Sequence, residues 1–96
     1  MNEAMTKYCL VYVNPEDKED VYYLAYFNDN SKHKLSFIVR DCQYVSTVFD
    51  TIDEAQDYLN KREEIEACML GSNLKKIKSW SFSIAVMRTT IDFLLN

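Results

Sequence analysis

The chain has 96 residues, enough for one domain with a single buried core and no need of a metal or disulfide framework. Its hydrophobic fraction of 48% indicates a folded globule, and its net charge of −4 argues against a protein whose main task is gripping phosphates. Three cysteines at scattered spacings, Cys9, Cys42 and Cys68, do not make a secreted disulfide scaffold. With no apolar run near the roughly 18 residues of a membrane span and no leader pattern in residues 1–5, a cytoplasmic protein is expected.

Residues 1–5 read as a flexible N-terminus, and a first strand is expected from Thr6 to Val13, ending at Asn14 and Pro15. Alternation puts Tyr8, Leu10 and Tyr12 on one face and Cys9, Val11 and Val13 on the other. A charged turn, Glu16 to Asp20, leads to a second strand, Val21 to Phe27. That strand repeats the arrangement, with Tyr22, Leu24 and Tyr26 opposite Val21, Tyr23, Ala25 and Phe27. Both faces are apolar, so one is core and the other is covered by the chain itself, by a second copy or by a partner. The aliphatic face is expected to be the core.

Residues Asn28 to His33 are rich in side chains that hydrogen-bond their own backbone and form a hairpin loop. The return strand, Lys34 to Arg40, alternates Leu35, Phe37 and Val39 with Lys34, Ser36, Ile38 and Arg40, a pattern suited to a sheet edge. From Asp41 to Phe49 the chain is ambiguous, with β-branched residues enough for a short fourth strand.

Thr51 and Glu54 then fit a capping box, and one long helix is expected from Ile52 to Leu70. Ala55, Tyr58, Leu59, Arg62, Ile65, Cys68 and Met69 recur at spacings of three and four and form its inward face, with Gly71 as a left-handed C-cap. The segment from Leu74 to Met87 reads as an alternating strand whose Trp80, Phe82, Ile84 and Val86 meet the helix. Its Ser79, Ser81 and Ser83 then join the tyrosine face. The last residues, with Ile91, Phe93, Leu94 and Leu95, are apolar enough to dock, and are one candidate cover for that face. The fold class is α+β: one domain, an antiparallel sheet of four to five strands with one principal helix on one face, in the order β-β-β-(β)-α-β.

Chemistry is sparse. Cys9, Cys42, Cys68 and His33 supply a zinc ligand set in type but not in spacing, and His33, the sole histidine, has no orienting partner for a nucleophilic pair. A single glycine rules out phosphate-cradling loops, and the acidic turns lack the glycine and distal glutamate of a calcium loop. No enzyme, metal or cofactor is expected.

Three surfaces remain. The face of Tyr8, Leu10, Tyr12, Tyr22, Leu24 and Tyr26 suits protein binding, since tyrosine gives large, rigid, amphipathic contact area. An acidic stripe of Asp53, Asp57 and Glu64 imitates a nucleic-acid backbone and offers an alternative surface. Lys75, Lys76, Lys78 and Arg88 beside Trp80 and Phe82 suggest instead a nucleic-acid-binding module. The expected function is a small non-enzymatic protein-binding module, an inhibitor or adaptor such as a phage or mobile-element accessory protein blocking a host nuclease or defence factor. A homodimeric structural protein joined through tyrosine faces is the further alternative.

Overall fold

The computed structural model describes residues 6–30 and 32–88. Expectations for residues 1–5 and for the apolar end from Ile91 to Leu95 lie outside this range. The chain is an α+β fold: strands β1 (Thr6–Asn14), β2 (Asp17–Asn28), β3 (Leu35–Val39) and β4 (Ser81–Arg88), with helices α1 (Ile52–Leu59), α2 (Arg62–Ala67) and α3 (Leu74–Ile77). The four strands form one antiparallel sheet in the order β3-β2-β1-β4. No helix among the described residues is long and apolar enough to cross a membrane.

The β1–β2 hairpin turns at Pro15 and Glu16, where the Asn14 side chain accepts from the Glu16 amide at 2.9 Å and donates to Asp20 at 3.1 Å. Strand β2 therefore starts at Asp17, within the stretch expected as a charged turn. The next loop closes as its composition predicts: the Asn28 side chain accepts from the Asn30 amide, and that of Asn30 from the Lys32 amide.

A bulge between Leu24 and Tyr26 shapes the sheet. β1 and β2 pair from Val11–Tyr23 to the turn and then part, and residues 46–49 wedge between them. Ser46 and Thr47 donate their amides to the Ala25 carbonyl at 2.8 and 3.1 Å, while Phe49 exchanges both backbone bonds with Tyr8. The expected fourth strand is thus a 3-10 turn at Cys42–Tyr44 followed by this wedge.

The capping box forms as read: the Glu54 amide donates to the Thr51 hydroxyl and the Glu54 carboxylate accepts from the Thr51 amide, each at 3.2 Å. The single long helix does not. It breaks at Asn60 and Lys61, where the Lys61 amide bonds the Tyr58 carbonyl three residues back, and α2 restarts with the Ile65 amide on the Lys61 carbonyl. The break lets α1 lie over β1 and β4 while α2 lies toward β3. After α2 the chain pairs with the outer edge of β3, through Ser36 to Cys68 and Leu70 to Ser36 backbone bonds. Gly71, at φ 100, turns this short pairing toward α3, and is not the cap of a long helix. α3 then occupies the start of what was expected as strand, so β4 begins only at Ser81.

Among the described residues α1, α2 and α3 all lie on one side of the sheet. One core cluster unites Leu10, Leu24, Phe27, Phe49, Ala55 and Ile65, and a second unites Tyr12, Tyr22, Ile77 and Trp80. These residues correct the assignment of faces: the tyrosine and leucine face of the hairpin is the core face. Cross-strand register joins Tyr8, Leu10 and Tyr12 to Val86, Ile84 and Phe82, so the inward residues of β4 share that side and its serines lie opposite.

Candidate functional site

Of the six residues proposed to take a partner, Leu10, Tyr12 and Leu24 are 0% exposed and Tyr22 is 7% exposed. Tyr8 is half-buried against the first core cluster. Burial follows from volume and from polar satisfaction. Large side chains fill the space beneath short helices, and the Tyr12 hydroxyl donates to Glu66 at 3.0 Å, so its polar end is not orphaned. Burial and the neighbouring Glu66 carboxylate push the Tyr12 phenol far above its ordinary range. The Tyr12 and Phe82 rings stack at 4.4 Å and Tyr22 tilts against Trp80 at 5.8 Å. This surface is interior, so neither a partner nor a second copy packs on it while the monomer stays folded.

Arg62 secures the layer. It donates to Glu66 at 2.6 Å and reaches the carbonyls of Lys78 and Trp80 at 3.1 and 2.9 Å, tying α2 to the end of α3 and the start of β4. Its guanidinium also lies 5.3 Å from the Tyr12 ring centre. Among the described residues every buried side-chain nitrogen and oxygen has a hydrogen-bond partner. The shallow cleft beside this network, lined by Glu63, Glu66, Ala67, Leu74 and Lys78, therefore has a committed polar floor.

Tyr26 alone of the six lies on the other side, because the bulge at Ala25 inverts the alternation of β2. It stacks on Phe37 at 5.7 Å. With the helices all on one side, this second face carries Val11, Val13 and Cys9 of β1, Val21, Tyr23 and Tyr26 of β2, Leu35, Phe37 and Val39 of β3, and Ser81, Ser83, Ala85 and Met87 of β4. Among the described residues the turn at Cys42–Tyr44 lies beside it, at the part where Cys9 and Val11 are buried, and burial, then Cys42, pushes the Cys9 thiol up to about 11. Tyr23 is raised chiefly by burial as well, with Cys42, Cys9 and Asp41 adding to it. Phe37 remains 36% exposed and Tyr44 64%. The face holds aromatic and aliphatic side chains, is interrupted between β1 and the Tyr26 end of β2 by residues 46–49, and carries little charge besides Lys7. Alternation in β1 and β3 signals it, but which apolar face lay outside depended on where the helices settled.

The acidic and basic alternatives are dispersed. Asp53 and Asp57 are exposed on α1, but Glu64 belongs to α2 beyond the break, so the three do not form one rod. Lys75, Lys76 and Lys78 are exposed on and just after α3, at the Ser81 end of β4, whereas Arg88 ends that strand about 23 Å away at the usual rise per residue. Lys76 also helps to hold the Asp20 carboxyl low, behind the larger effects of Arg40 and Asn14. Cys9 is buried, Cys42 exposed and Cys68 half-buried, all as free thiols, and no group of metal-binding side chains is gathered among the described residues. No protein-family model, curated protein or solved structure matches this chain.

Proposed function

We propose that this protein is a non-enzymatic protein-binding module, an inhibitor or adaptor that lays the sheet face opposite its helices against a partner protein. The observation that carries this is the open face itself: Tyr26 stacked on Phe37, beside Tyr23 and Val39, with none of the helices α1, α2 and α3 above it. An apolar sheet face of this kind costs solubility unless something covers it, and rigid aromatic anchors in a weakly charged centre are where binding energy concentrates.

The test replaces Phe37 with Asp and Tyr26 with Ser in one variant, with Asp53→Lys plus Asp57→Lys as the acidic-helix comparison. A partner captured from the native source with the wild-type chain should bind the face variant about 30-fold more weakly, as expected for loss of roughly 2 kcal/mol of anchor energy. The helix variant should bind as wild type does. Normal binding by a folded face variant, with failure of the helix variant, would transfer the function to the acidic helix.

A further inference from the structure

We propose that β4 is a self-pairing edge, and that a second copy of this chain joins it antiparallel about a two-fold axis at Ile84. This pairing is independent of the partner-binding face. Tyr8 spends both its backbone groups on Phe49, away from β4. Its pair with Val86 is therefore a non-hydrogen-bonded one, and the Val86 amide and carbonyl point outward; by alternation so do those of Ile84 and Phe82. Among the described residues nothing pairs with them.

The two edges of the sheet are treated differently. β3 is covered at Ser36 by residues 68–70 and flanked by Lys34 and Arg40. β4 has no charge, proline or bulge from Ser81 to Met87, and so lacks the features that ordinarily keep an edge from pairing. Outward groups at Phe82, Ile84 and Val86 are self-complementary in one register. Ile84 meets Ile84 of the second copy and Phe82 meets its Val86, each pair exchanging both backbone bonds. Val86, 61% exposed on the core side, then gains the ring of Phe82 as a neighbour.

The register selects a second copy over an arbitrary strand: about a two-fold at Ile84 the outward groups of Phe82, Ile84 and Val86 in each copy are satisfied by those of the other, which joins two sheets of four strands into one of eight.

Mass in solution tests this by sedimentation velocity over a hundredfold range of concentration. The wild-type chain should reach twice its monomer mass. Val86→Pro, at an outward amide and an exposed side chain, should keep the monomer fold and weaken association by about tenfold or more, the worth of about one net hydrogen bond per site. Val86→Lys should act likewise if the proline variant does not fold. A chain that stays monomeric throughout would overturn the proposal. So would a dimer that persists in both Val86 variants, which places the contact elsewhere.

Discussion

Replacing Arg62 with Met should be among the most damaging single changes outside the apolar core. Methionine keeps an unbranched stem against Tyr12 and Phe82 but loses the fork that joins α2, α3 and β4. The bonds to the Lys78 and Trp80 carbonyls are charge-assisted but partly solvated, so about 1 kcal/mol each is a fair value. The Glu66 pair adds about 1 kcal/mol, because that carboxylate, with side-chain exposure of 14%, is left uncompensated beside the Tyr12 hydroxyl. The total is about 3 kcal/mol, a fall in Tm of roughly 12–24 °C for a domain of this size. Denaturant titration measures it directly. Arg62→Lys, which keeps the charge without the fork, should lose about half as much, and Arg62→Met with Glu66→Gln should recover part of the loss because no buried charge then stands alone and the amide oxygen still accepts from Tyr12. A loss below about 1 kcal/mol in Arg62→Met would show that the network is incidental to the fold.

Thr51→Ala should cost about 1 kcal/mol in the same titration, since it removes the acceptor for the Glu54 amide; equal stability would mean that the capping box is idle. Tyr12→Ser should cost about 3–5 kcal/mol, whereas Tyr26→Ser should cost far less, because one ring is fully buried and the other half-exposed; comparable losses would put both tyrosines in the same environment. Stability should also fall at alkaline pH. The folded state keeps the Cys9 thiol protonated to about 11, while the unfolded chain releases that proton near its ordinary value. The contribution is thus intact below about pH 9 and declines up to about pH 11, by at most about 1.4 kcal/mol per pH unit. Cys9→Ala should flatten this decline, and an unchanged slope between the two proteins would reject the assignment.

Much of the fold was legible because local chemistry decided it. The strand limits of β1, the Asn-rich loop after Asn28, and the cap at Thr51 follow from proline, from side chains that bond their own backbone, and from one hydroxyl and one carboxylate at the right spacing. Where long-range packing decided, the pattern misled. Alternation states that Tyr12 and Val11 point opposite ways, but with both sides apolar it does not state which is inside. Here the hydrogen bond to Glu66, contributed from a helix 54 residues away in sequence, favours the tyrosine side. The bulge at Ala25 has no glycine or proline to announce it and depends on the wedge at Ser46 and Thr47, so Tyr26 could not be separated from Tyr22 and Leu24 by counting. Likewise the helical spacing from Ala55 to Met69 continues through the break at Asn60, because the inward positions of α1 and α2 still face the same sheet. The open face, with Tyr26 and Phe37 on its β2–β3 side, was therefore visible as a set of apolar positions and hidden as a surface.

Oxidative footprinting of the aromatic side chains, in the free chain and with its captured partner, tests the central claim most directly. Tyr26 and Phe37 should oxidise readily in the free protein and become protected on binding, while Tyr12 and Tyr22 stay slow in both states. Rapid oxidation of Tyr12 in the folded free chain, or binding that leaves Tyr26 and Phe37 unprotected, would contradict the assignment of faces on which the proposed function rests.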